Sequence, residues 1–166
     1  MSPALRHMPA DRLTVWMVET TESYRLERIK AGESEAEASA NAERSFSQLF
    51  PGGELAPGQL VFEILEDAAA GPAPEATAAS ADPIGILWVG PTLDSTTDWW
   101  VWNIEIVESH RGRGLGREAM RLAEVQAREH GADSLGLNVF GFNVPARSLY
   151  ESLGYETTSL QMRKTL

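Results

Sequence analysis

The sequence predicts a single α/β (α+β) domain. Its 166 residues suit one domain with a sizeable core. The mix of 43% apolar and 23% charged residues is that of an ordinary globular protein. Short β-branched and aromatic runs alternate with segments of helical spacing, and no linker or internal repeat divides residues 1–166.

The elements follow in chain order. Residues 3–9 suit a short first strand. Tyr24, Leu26 and Ile29 give residues 19–31 helical spacing, with Gly32 as the stop. Ala36, Ala40, Phe46 and Leu49–Phe50 mark the apolar side of a second helix over 33–50, broken by the Pro51-Gly52-Gly53 turn. The run GQLVFEILED predicts a strand. Residues 67–82 are rich in Ala and Pro and contain no bulky apolar residue, which predicts a mobile surface loop. Strands are expected at 84–89 (IGILWV) and 99–107 (WWVWNIEIV). A helix over about 116–130 is closed by Gly131. Residues 134–140 predict a strand, and 144–153 a helix that starts near Pro145 and stops at Gly154. Residues 155–164 supply a last strand.

Composition excludes several function classes. The chain has no cysteine, so disulfides, thiolate metal sites and a cysteine nucleophile are ruled out. His7, His110 and His130 are scattered without metal-ligand spacing, so no metal is expected. No run of about 18 apolar residues predicts a membrane span. The start, MSPALRHMPADR, lacks an apolar signal core, and the expectation is a mature, cytoplasmic protein. Net charge is −10, and all of the excess falls in residues 1–100, with 16 acids and 6 bases. Residues 101–166 carry 8 of each. Such a field repels nucleic acid and anionic membrane and attracts cations. Solubility is the plainer reading of the same charge.

Residues 108–120, ESHRGRGLGREAM, fall between a predicted strand and a predicted helix. A helix start presents unpaired N–H groups and partial positive charge. Glycines just before it let the backbone approach an anion closely. The turn therefore suits a phosphate. It is not a Walker loop, because GxxxxGK[ST] is absent, and Arg117 breaks a dinucleotide GxGxxG fingerprint.

Arg111-Gly112-Arg113-Gly114-Leu115-Gly116 fits R/Q-x-x-G-x-G/A and resembles the pyrophosphate loop of the GCN5-related N-acetyltransferases, the GNAT superfamily. Residues 137–155, LNVFGFNVPARSLYESLGY, resemble that family's later motif through Asn143, Ala146, Leu149, Tyr150, Leu153, Gly154 and Tyr155. Met162 and Lys164 resemble its closing M-x-K. The two motifs stand in the family's order and spacing. The resemblance covers residues 84–166 well and 1–60 weakly.

The resemblance implies a mixed, mostly antiparallel sheet of about six or seven strands and about four helices, splayed at the acetyl-CoA strand. It implies acetyl-CoA as cosubstrate and direct attack of an amine on the thioester. Ile106 and Val107 would meet the pantetheine arm. Arg111, Gly112, Arg113, Gly114, Leu115 and Gly116 would hold the pyrophosphate, with solvated surface as the plainer role for Arg113. Asn143 and Ala146 would contact the cofactor, although Asn143 before Pro145 also suits a helix cap. Tyr150 would protonate the departing thiolate, against the plainer reading of a core tyrosine. Some relatives carry an acid where Asn138 stands; an amide cannot take a proton, so Asn138 is expected to orient the acceptor or a water. Glu105 is the candidate base or acceptor ligand, against a structural ion pair. Strand alternation would place Asn103 and Glu105 on one face and Trp102, Ile104 and Ile106 on the other. Trp102 and Tyr24 are candidate acceptor contacts, with core packing as the alternative for the Trp88, Trp99, Trp100 and Trp102 group. Tyr24, Glu27 and the Leu49–Gly53 turn fall in the part that forms one side of the acceptor cleft by analogy. The expected partner is a small-molecule amine, cationic given the acidic first part, with neither nucleic acid nor membrane. Many relatives pair through sheet edges or last strands, so a homodimer is compatible. A peptide acceptor and a non-catalytic cofactor sensor are the competing readings.

Overall fold

The computed structural model describes residues 3–66, 82–164 and 166. The expected loop at 67–82 lies outside them except for Asp82. The elements are β1 Pro3–His7, α1 Ala10–Lys30, α2 Glu35–Leu49, β2 Leu60–Glu66, β3 Gly85–Pro91, β4 Asp98–Ile106, α3 Leu115–Glu129, β5 Ser134–Leu137 and α4 Val144–Ser152. Short 3₁₀ turns sit at Pro51–Gly53 and Glu108–His110. The strands form one sheet in the order β1-β2-β3-β4-β5, antiparallel throughout except for the parallel β4–β5 pair. The α/β class and the mostly antiparallel mixed sheet are as expected.

The sheet separates two apolar clusters. On one face, α3 buries Leu115, Ala119, Met120, Ala123 and Ala127 against Phe62, Ile64, Leu87, Val89 and Val101. Alanine at three of these positions lets the helix lie close to the strands. On the other face, Trp16 of α1 and Leu49 of α2 pack on Val61 and Trp88. The Trp16 and Trp88 rings meet edge to face at 5.3 Å. Trp88 Nε1 donates to Gln59 Oε1 at 2.9 Å, so its buried N–H is satisfied.

Helix α1 starts at Ala10, nine residues earlier than the sequence pattern indicates. Thr14, Val15, Val18, Thr20 and Thr21 are weak helix formers. The tertiary anchor, Trp16 at 2% exposure, overrides that preference. α2 starts with a complete capping box: Ser34 Oγ accepts from the Glu37 N–H, and Glu37 accepts from the Ser34 N–H.

Two expectations fail. Residues 155–164 form no strand, and among the described residues the sheet has five strands rather than six or seven. That segment leaves Leu160 and Met162 exposed at 69% and 87%, so no apolar face holds it on the sheet. Simple alternation along β4 also fails. Trp88 pairs with Asn103 but Val89 pairs with Val101, so Trp102 is an extra residue in a β-bulge. The bulge turns the Trp102 side chain to the α1–α2 face, 5.8 Å from Trp88, while Ile104 and Ile106 keep the α3 face.

Candidate active site

The site begins where the sheet opens. β5 pairs with β4 only from Asp98↔Ser134 to Val101↔Leu137. Beyond the bulge, Val107 N–H donates to the O of Ile84, just before β3. Alternation therefore turns the backbone groups of Ile104 and Ile106 away from β3, toward the side that β5 no longer covers. Val107 itself is not on that open edge. The Ile106 carbonyl is met by a side chain instead: Arg111 Nε donates to it at 2.8 Å. Gly136 pairs with Trp100, one rung before the last. The Trp100 ring lies directly on its Cα, where any side chain would collide.

The glycine turn follows at the end of β4. Gly112 and Gly114 have φ of 74° and 79°, a region that favours glycine. Gly114 caps α3 from this left-handed conformation without a side-chain cap. The consequence is a run of N–H groups, Gly112 through Gly116, that donate to no acceptor among the described residues. The backbone first turns inward at Arg117, whose N–H reaches Gly114 O at 3.0 Å. Such a row of donors at the positive end of a 15-residue helix is a cradle whose chemistry suits an anion.

The arginines of the turn are less free than its backbone. Arg113 is ion-paired with Glu66 at the end of β2. His110 Nε2 lies 3.6 Å from the same carboxylate. Arg111 reaches Glu105 at 3.8 Å as well as Ile106 O. Glu66 thus ties the turn to the sheet, a role that no sequence signal predicts.

Helix α4 packs beside the cradle. Gly116 sits against Leu149, and Arg117 donates to Ser152 Oγ at 2.6 Å. Asn143 caps α4, accepting from Ala146 N–H at 3.3 Å, as expected. That bond occupies the Ala146 N–H. Tyr150 is half-buried against the cluster that holds Ile104 and Ile106. Burial pushes its phenol pKa upward, so it is a protonated donor at neutral pH. Among the described residues nothing hydrogen-bonds its hydroxyl.

On the opposite face, α1 runs along β4. Trp16, Thr20, Tyr24 and Glu27 recur at helical spacing along one stripe. Trp16 meets Trp88, and Thr20 Oγ1 accepts from Asn103 Nδ2 at 3.2 Å. Tyr24 packs on Phe46 at 5.5 Å and on Phe140 at 6.4 Å, beyond the end of β5. Phe140 in turn stacks on Phe142 at 5.4 Å. Glu105 is exposed on this same α1-facing side of β4. Trp102 lies 5.8 Å from Trp88, and among the described residues its buried Nε1–H has no hydrogen-bond partner. Trp88 and Trp99 are plain core residues at 1% and 3% exposure. Asn138 is exposed immediately after β5, and among the described residues its side chain makes no hydrogen bond. Thr20 and Phe140 were not singled out from sequence. Thr20 is findable, one turn before Tyr24 on the stripe; Phe140 depends on where the chain turns after β5.

The structure thus brings Ile106, the cradle and Tyr150 around one side of the opening, and Tyr24, Trp102 and Glu105 around the other. Among the described residues no group of three potential ligands is placed to hold a metal. None of the described helices is long and apolar enough to cross a membrane.

Known proteins match this arrangement. An N-acetyltransferase of Bacillus subtilis, YdgE, whose function is uncharacterised, is 26% identical over 168 residues, spanning 100% of this chain and 99% of the relative. The crystal structure of the putative acetyltransferase YycN from the same organism superposes with a TM-score of 0.81 at 25% identity, covering 99% of both chains. A streptothricin acetyltransferase of Streptomyces lavendulae is 45% identical over 53 residues, 32% of this chain and 28% of that one. The acetyltransferase (GNAT) family profile matches residues 40–155, and the chain belongs to that family of acetyltransferases.

Proposed function

We propose that this acetyltransferase uses acetyl-CoA to acetylate a primary amine of a small, cationic molecule. The observation that carries the reading is the row of unengaged N–H groups from Gly112 to Gly116, set beside the unpaired edge of β4. A pyrophosphate fits the donors, and an amide-bearing arm fits the strand edge. Bound there, acetyl-CoA supplies an activated acyl group.

The chain's own residues do the rest. The cradle fixes the anion, and the Ile106 N–H faces the open side as an oxyanion donor. Arg111 leaves the Ile106 carbonyl to make way for the arm, and stays within reach of phosphate. Tyr150, a protonated phenol at neutral pH, delivers a proton to the departing sulfur. Glu105 and the Tyr24 and Trp102 rings line the acceptor side. The acid-rich residues 1–100 favour a cationic acceptor, and one matched relative is named for streptothricin.

Thiol release from acetyl-CoA against a panel of amines and short peptides tests the reading. Amine-dependent release that falls at least about tenfold in Tyr150→Phe, or about 1.4 kcal/mol, supports it. A peptide as the best acceptor overturns the small-molecule half. Tight acetyl-CoA binding without release for any acceptor favours a sensor.

A further inference from the structure

A second carboxylate stands on the α1 side of β4. Glu27 stands at the C-terminal end of the stripe that carries Trp16, Thr20 and Tyr24. The Thr20–Asn103 hydrogen bond fixes the register of α1 on β4. Two residues beyond Asn103 on the strand is Glu105, about 6.6 Å further along. Two turns beyond Thr20 on the helix is Glu27, about 10.5 Å further along. Both carboxylates therefore lie on the α1-facing side of the sheet.

Their partners differ. Glu105 is drawn toward Arg111 at 3.8 Å. Glu27 forms no ion pair within 4 Å among the described residues. Its natural helix neighbour, Lys30, sits over the Phe142 ring instead, with Nζ 4.4 Å from the centroid. Glu27 is open to solvent, yet protein crowds it enough to be partly desolvated.

Resting on the reading above, we propose that Glu27 is the proton acceptor and ammonium anchor of the acceptor cleft, with Glu105 as its tuning neighbour. The acceptor arrives as R–NH₃⁺ beside the Tyr24 and Phe140 rings, which suit an apolar stem. Glu27 takes one proton and passes it to solvent. The free amine forms the new C–N bond as the C–S bond breaks. Tyr150 protonates the sulfur and regains a proton from the amine nitrogen through water. One proton is released overall.

The electrostatics agree in sign. Desolvation is the main cause that raises the Glu27 carboxyl pKa, Lys30 opposes it, and the Glu105 charge adds to it. A raised pKa makes a stronger base at neutral pH. The charges bearing on Glu27 are Lys30 on its own helix and Glu105 on β4, with Arg111 behind Glu105.

Glu27→Gln and Glu105→Gln test this, with Glu19→Gln removing the same charge from another face of α1. Two amines serve as probes: one protonated at the assay pH, and one weakly basic and already neutral. Glu27→Gln is expected to lower kcat/KM about tenfold or more for the protonated amine, and under about twofold for the neutral one. Acetyl-CoA affinity by calorimetry and the melting temperature should not fall. Glu105→Gln, by removing a like charge, should move the acid limb of the kcat/KM profile to lower pH. Equal loss with both amines, or no loss with either, overturns the proposal. So does an acid limb that stays in place in Glu105→Gln. If the wild type acetylates neither amine yet modifies a peptide, the underlying small-molecule reading fails first, and this assignment with it.

Discussion

Trp88 and Trp102 are 5.8 Å apart and differ in one respect. Trp88 spends its N–H on Gln59, whereas among the described residues the buried Trp102 donor has no partner. A buried unsatisfied donor costs about 1–3 kcal/mol. Replacing Trp102 by Phe removes that donor with little loss of volume. Trp102→Phe is therefore expected to leave the denaturation midpoint unchanged or raised, while weakening acceptor binding, measured as KM for the best amine. Gly114 carries a different constraint. An added Cβ meets nothing within 4 Å, so space is available, but φ of 79° strains any other residue. Gly114→Ala should cost roughly 1–2 kcal/mol in urea unfolding and weaken acetyl-CoA binding in calorimetry. Both residues illustrate what the sequence reveals. The glycines announce their turn because only backbone freedom explains them. The orphaned indole is invisible, because its state depends on the bulge that rotates it.

At the scale of elements, strong patterns were legible and weak ones were not. Helices α2 and α3 lie within two residues of expectation, since capping and small apolar residues agree with the fold. The first half of α1 was missed because its threonines and valines argue against the helix that Trp16 enforces. Residues 155–164 look like a strand but lack a buried face. Ser34→Ala should cost about 1 kcal/mol, read by thermal melting, by removing the cap of α2. Gly136→Ala should cost more, about 1–3 kcal/mol, because the Trp100 ring must move and the last β4–β5 rung with it. The junction of α1 and α2 is electrostatic. Arg28 donates to Glu33 at 2.6 and 2.8 Å and to Tyr24 at 2.6 Å, and Asn41 adds a bond to Glu33. The Arg28 hydrogen bonds hold the Glu33 carboxyl below the usual carboxylate range. A depressed folded pKa stabilises above the unfolded value of about 4.3 and is lost as pH falls through the folded one. Acid titration should therefore loosen the α1–α2 junction below about pH 4, and Glu33→Gln should flatten that dependence.

Across the whole molecule, the sheet divides the proposed site between its faces. The face toward α3 carries Ile106 and Tyr150, beside the glycine turn; the face toward α1 and α2 carries Trp102, Asn103 and Glu105 opposite the α1 stripe. The charge follows the same division, with the acid excess confined to residues 1–100. The glycine turn was legible because its geometry needs particular backbone at a particular spacing. The α1 stripe was not, because a helix stripe names its residues only once its register on the strand is known. That register is set by one hydroxyl–amide contact and one inserted residue, the bulge at Trp102. On the proposed reading, the α1 stripe and the glycine turn are separate lineages of substitution: replacements on the stripe alter which molecule is modified while the machinery that delivers the acyl group is inherited intact. A library confined to positions 20 and 24 would explore new acceptors without disturbing the proton acceptor or rebuilding the donor.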